Sequence, residues 1–192
     1  MHRRELLQIV GAVALTPLLA PLSAEERVDV ARTIHQKRKN GPLRVLTPAQ
    51  AALVTAVAER IIPRTDTPGA TDADVTGFVD MLLADWYKDE DRDRFLRGLA
   101  AMDAEAMALE KGNPGSGEKV FAACRSETQD ALLSRWDSAE SGPETATANF
   151  KRLKSLTVYG FFTSEIAVRE VTKPVIFHPA FEGCVPFPAV AK

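Results

Sequence analysis

The 192-residue chain carries 24 Lys plus Arg against 26 Asp plus Glu and is 45% hydrophobic, which describes one domain with a sizeable core and excludes intrinsic disorder. A formal net charge of -2 gives no field for a phosphate backbone, and the single basic run Lys37-Arg38-Lys39 is too short for a footprint, so no nucleic acid is expected as a partner. Two distant cysteines, Cys124 and Cys184, with no Cys or His at metal spacing, imply neither a zinc site nor a disulfide-dense scaffold.

Residues 1–24 read as an address. A basic start is followed by the uncharged run Ile9 to Leu22 and a small residue, Ala24, before Glu25-Glu26. The run is shorter than the roughly 20 apolar residues a spanning helix needs, so it fits a secretory signal. Within it Arg3-Arg4-Glu5-Leu6-Leu7 has the twin-arginine pattern, which places the translocase of that route among the expected partners and the protein in the periplasm. A general secretory signal with adjacent arginines is the alternative. Leu22 is large for the position three before a cut, which leaves retention as an N-terminal anchor open.

Residues 25–45 form a linker with a short helix, and the helical domain is expected over 46–174. Thr47-Pro48-Ala49-Gln50 combines a Thr cap, Pro at the first helical position and Gln three residues on, which opens a helix over 48–62 that Pro63 ends. After a loop at 64–70, Thr71-x-x-Asp74 reads as a second capping box, and Val75, Phe78, Val79, Leu82, Leu83 and Trp86 form the inner stripe of a helix over 72–87. A charged third helix, about 90–110, buries Phe95, Leu99, Met102 and Ala106 and stops at Gly112-Asn113-Pro114-Gly115. A short piece at 117–124 leads to Ser126-x-x-Gln129, a third capping box, with Leu132, Leu133 and Trp136 behind it. A long helix is expected over 145–172, with Phe150, Leu153, Thr157, Gly160, Phe161, Ser164, Ala167, Val168 and Val171 along one side. Residues 175–192 mix Phe177, Phe181 and Phe187 with Pro179, Pro186 and Pro188, so they must lie extended against something. No stretch alternates with period two. The fold class is all-α, a compact bundle of about five helices with an extended C-terminal tail rich in Pro and Phe.

No catalytic signature emerges. His35 sits in the linker and His178 in the tail, and no phosphate loop, nucleophile elbow, paired-histidine helix or haem attachment motif is present. Asp66, Asp72 and Asp74 could gather a hard cation, but they lack the Gly turn and distal Glu of a calcium loop, so caps and solvated carboxylates are the expectation. Ser164, in Thr163-Ser164-Glu165, is expected to bond back to the preceding turn rather than act as a nucleophile. Cys184 has three fates open to it: a bond to Cys124, a bond to another chain, or burial as a small apolar group. No catalytic, cofactor or metal residue is assigned to this chain.

The twin-arginine start, Leu46-Thr47-Pro48, Ile61-Ile62-Pro63-Arg64-Thr65-Asp66-Thr67-Pro68-Gly69-Ala70, Gly77-Phe78-Val79-Asp80, Gly160-Phe161-Phe162-Thr163-Ser164-Glu165 and Gly183-Cys184-Val185-Pro186, taken in this order, resemble the gluconate 2-dehydrogenase subunit 3 family. Phe161-Phe162 departs from the pattern, in which tyrosines are common. The resemblance implies a small subunit without chemistry of its own, accompanying an FAD-bearing large subunit of the glucose-methanol-choline oxidoreductase type that oxidises sugars or sugar acids, in some complexes with a cytochrome c. It implies that this chain supplies the export signal for both, through Arg3, Arg4, Leu6 and Leu7. Phe177, Phe181, Cys184 and Phe187 are the residues expected at the partner interface, with Cys184 as a candidate for an inter-subunit disulfide. The competing class is an independent exported helical ligand-binding protein or enzyme whose site has no sequence signature.

Overall fold

The computed structural model describes residues 23, 26, 41–112, 119–140 and 145–173. The export signal and the C-terminal tail lie outside the described residues, and with them Arg3, Arg4, Leu6, Leu7, Phe177, Phe181, Cys184 and Phe187.

Helix α1, Pro48–Ile61, begins as the sequence requires. Thr47 accepts from the Gln50 amide, the Gln50 side chain accepts from the Thr47 amide, and Pro48 occupies the first turn. Helix α2, Val75–Asp85, starts later than the expected residue 72, because the Thr71-x-x-Asp74 box does not form. Asp74 is itself the cap, in the left-handed conformation at φ 49°, and accepts from the Gly77 amide; Thr71 turns instead to Glu59. Trp86 falls at the end of α2 with 38% of its surface exposed, so it is not part of the inner stripe.

Helix α3, Asp89–Lys111, has three acidic residues in its first turn, where the dipole favours them. A 3₁₀ turn, Phe121–Ala123, precedes helix α4, Ser126–Ser138. The expected Ser126–Gln129 box is absent too. Arg125 is the cap residue and makes no side-chain capping bond, and Gln129 points inward, donating to the Phe121 carbonyl while accepting from Arg60.

Helix α5, Ala146–Phe162, is capped by Thr145. The expected helix over 145–172 is two pieces. The Thr163 hydroxyl joins its own amide in donating to the Tyr159 carbonyl, and the buried Ser164 hydroxyl and amide both donate to the Phe161 carbonyl, which tightens the chain to an i→i−3 bond at Ser164 and ends α5. Ser164 Oγ then accepts from the Ala167 amide and starts a wide π-type turn, Ala167–Thr172, which Lys173 closes at φ 38°.

Helix α5 is the hub, packing on α1, α2, α3 and α4. Two glycines let neighbours come that close. A Cβ on Gly98 of α3 would lie 2.4 Å from the Asn149 side chain, and one on Gly160 of α5 would lie 2.7 Å from the Phe78 ring of α2. Phe78 packs edge-on to Tyr159 at 5.6 Å, and Trp136 lies between Phe121 and Phe150, at 5.8 and 5.9 Å. The core is thus one continuous cluster in an all-α bundle of five helices, with no strand among the described residues. No helix among them is long and apolar enough to cross a membrane.

Candidate partner-binding site

The loop from Pro63 to Thr71 is exposed at Pro63, Arg64, Thr65, Asp66 and Thr67, yet its backbone is held at almost every step. Glu59, projecting from the last turns of α1, accepts from the Arg64 amide at 2.8 Å through one oxygen. Its other oxygen accepts from the Thr71 amide and hydroxyl at 3.0 and 2.6 Å. Asp72 accepts from the Gly69 amide and pairs with the Arg64 guanidinium, and the Ala70 amide donates to the Ile62 carbonyl. Burial of Glu59 works against its charge, but the bonds from Thr71 and Arg64 and the Arg64 charge outweigh it and hold the carboxyl below its usual range. The three aspartates considered as cation ligands are divided among separate tasks. Asp66 accepts from Thr65, Asp72 holds Gly69 and Arg64, and Asp74 caps α2. No group of three potential ligands converges on a metal position among the described residues.

Carboxylates elsewhere also hold the backbone. Asp80, buried within α2, accepts from the amides of Arg44, Val45 and Leu46. Asp103 accepts from the Phe121 amide and, being half-buried, titrates above its usual range despite that bond. Glu110, fully buried on α3, accepts from the Thr128 hydroxyl at 2.7 Å and pairs with Arg125 at 3.3 Å. Glu105 accepts from the Trp136 indole at 2.8 Å and pairs with Arg135. Sequence reading missed all of these. The signal that could have found Asp80 and Glu110 is an acidic residue at an inward position of a helix, where an uncompensated charge would be costly.

Cys124 ends the 3₁₀ turn, buried, as a free thiol that donates to the carbonyls of Lys119 and Val120. Burial pushes its pKa up; the nearby Glu110 carboxylate adds to this, Lys119 opposes it, and Asp103 adds a smaller part. It is a poor nucleophile in this setting. Ser164 is engaged at both its donor and acceptor positions and buried, as expected for a structural hydroxyl.

An open depression between α3, α4 and the start of α5 is lined by Glu105, Ala108, Leu109, Arg135, Ala139 and Thr147. It lacks the combination of an enclosed apolar wall and convergent, perturbed titratable groups that marks a small-molecule site. Trp86, Leu109 and Val120 are the large apolar side chains most exposed among the described residues. The described residues thus form a helical bundle with a braced loop between α1 and α2, a segment at 44–46 tied to α2, and Lys173 in the left-handed conformation after the π-type turn. No curated protein and no solved structure matches the chain. A family model described as gluconate 2-dehydrogenase subunit 3 matches residues 48–183, from the first residue of α1 through the bundle and beyond it. The chain belongs to the gluconate 2-dehydrogenase subunit 3 family.

Proposed function

We propose that this chain is the non-catalytic small subunit of a periplasmic flavin-dependent dehydrogenase acting on a sugar or sugar acid. The observation that carries the reading is the family match over 48–183, which covers every described helix. Supporting it, the acidic side chains that could have served chemistry are engaged in holding backbone and neighbouring side chains. In this reading the FAD belongs to a large subunit of the glucose-methanol-choline oxidoreductase type, with a cytochrome c as electron acceptor in those complexes that contain one. The chain contributes Arg3, Arg4, Leu6 and Leu7 as the address that takes both subunits through the twin-arginine translocase.

The tail, through Phe177, Phe181 and Phe187, docks on and stabilises the flavoprotein, since three aromatics left in water would make a patch a soluble domain rarely tolerates. Deleting residues 175–192 should release the partner while the circular dichroism stays helical; a retained complex would mean the tail covers its own helices.

The export role is tested by replacing Arg3 and Arg4 with Lys, because lysine lacks the planar, forked donors of arginine. Dehydrogenase activity should disappear from the periplasm, with both subunits retained in the cytoplasm. Normal periplasmic activity in the double variant would refute shared export.

A further inference from the structure

Helix α2 is buried over nearly its whole length, with Val75, Gly77, Phe78, Val79, Met81, Leu82 and Leu83 all buried. In the middle of that run sits a carboxylate, Asp80, only 2% exposed. Its partners are three consecutive backbone amides of a segment that belongs to no helix. Arg44 N donates to Oδ2 at 2.8 Å, and Val45 N and Leu46 N donate to Oδ1 at 3.0 and 2.8 Å. In an extended chain successive amides point to opposite sides. Here the chain bends at residues 44 and 45, so that the three form a concave cluster of donors of the kind that receives anions. The anion is supplied by the protein itself. A second tie lies farther along α2, where the Arg44 guanidinium meets Asp85 at 2.7 Å. Leu46 is buried beside the latch, and Thr47 immediately opens α1.

We propose that Asp80 is a latch that fastens the arm at residues 44–46 to folded helix α2, so that the preceding chain leaves the domain from one fixed point only when α2 has formed. The bond pattern makes the charge necessary. In Asp80→Asn the amide oxygen can replace Oδ1 and keep Val45 and Leu46, but the NH₂ group then faces the Arg44 amide, donor against donor. In Asp80→Ala all three bonds are lost. The effect is local, because α1 retains its own capping box and α2 its Asp74 cap.

Amide hydrogen exchange on the full chain tests this. In the wild type the amides of Arg44, Val45 and Leu46 should be protected although they lie outside any helix. Protection of the Arg44 amide should fall roughly 10- to 100-fold in Asp80→Asn, and that of all three amides should fall in Asp80→Ala, while the amides of α5 keep theirs. Trypsin should then cut the Arg44–Val45 bond, which resists it in the wild type. Wild-type amides at 44–46 that exchange as freely as an open linker would overturn the proposal. So would Arg44 protection that persists in Asp80→Asn, or protection that is lost equally across α5, which would make Asp80 a determinant of global stability and not a latch. Should Asp80→Ala fail to fold, the wild-type protection and Asp80→Asn still decide the matter.

Discussion

Replacing Gly160 by Ala puts one methyl group at the closest approach between α5 and α2. The added Cβ would lie 2.7 Å from one ring carbon of Phe78 and 3.1 and 3.2 Å from two others, inside any normal carbon contact. Phe78 has no room to yield, since it is fully buried and its ring packs edge-on to Tyr159 at 5.6 Å. Overpacking of this kind costs about 1–3 kcal/mol, and removing a mid-helix glycine returns up to about 1 kcal/mol, so the net loss should be about 1–2 kcal/mol. Gly112→Ala is the matched control. Its φ of -71° suits any residue and its added Cβ meets only the Leu109 carbonyl at 3.4 Å, so stability should stay level or rise by about 0.4–1 kcal/mol. Urea denaturation followed by circular dichroism at 222 nm, roughly the standard helical wavelength, reads both variants against the wild type. Phe78→Leu should relieve the Gly160→Ala penalty, giving a coupling between the two sites. Equal or greater stability in Gly160→Ala would refute the close approach of the two helices.

Tyr87 is buried, its hydroxyl has no hydrogen-bond partner among the described residues, and burial is the main cause that pushes its pKa up from 10.0 to about 12, with Arg152 opposing and Asp91 adding. The folded state therefore holds the phenolic proton where the unfolded chain has lost it, so stability present below pH 10 should fall by about 2–3 kcal/mol between pH 10 and 12. Tyr87→Phe should remove that component of the alkaline loss and be neutral or stabilising at pH 7, as measured by denaturation across the pH series. Glu59→Gln should cost about 1–2 kcal/mol and raise proteolysis of the Pro63–Thr71 loop, because the amide keeps one acceptor but loses the charge-assisted bonds from Thr71. As the folded pKa of Glu59 lies below its unfolded value of 4.5, its contribution is present above that value and lost as pH falls through the folded one; acid titration of wild type against Glu59→Gln reads the difference. Cys124 should resist alkylation until the domain unfolds, and non-reducing electrophoresis of the exported complex should show a reductant-sensitive band at the summed mass that persists in Cys124→Ser and vanishes in Cys184→Ser. Separate wild-type bands under alkylating conditions would remove the inter-subunit bridge.

Hydrophobic periodicity made the bundle legible, because burial of a stripe is a property of sequence spacing alone. Phe78, Val79, Leu82, Phe95, Leu99, Met102, Leu132, Trp136, Phe150 and Leu153 are all buried as their spacing requires. Caps were legible only where local geometry decides them. Thr47 and Gln50 have no competing partner, whereas Thr71 and Gln129 are drawn away by Glu59 on α1 and by Phe121 and Arg60, contacts across 12, 8 and 69 positions of sequence. The break after Phe162 was hidden for a related reason. Thr163 and Ser164 fit an uninterrupted helical stripe, and Gly160, Ser164 and Ala167 are indeed buried, but the two hydroxyls in succession add bonds to carbonyls of the preceding turn that already accept from the Thr163 and Ser164 amides. Asp80 and Glu110 escaped notice because the donors that satisfy them come from elsewhere in the chain, Leu46 and Thr128. The family resemblance was carried by the loop ending Pro68-Gly69-Ala70 and by the Gly160–Glu165 stretch. These are also the places where the structure departs most from periodic helix, with the braced loop between α1 and α2 and the corner after α5.

Affinity purification from the periplasmic and membrane fractions of the native host decides whether this chain works, as proposed, as the accessory subunit of a flavin-dependent dehydrogenase. The purified material should contain a second chain of roughly 60 kDa, by analogy with large subunits of this kind, bearing flavin absorbance in about equal proportion and oxidising a sugar or sugar acid with an artificial acceptor. A colourless, monomeric protein that turns over a substrate or holds a ligand by itself would contradict the account.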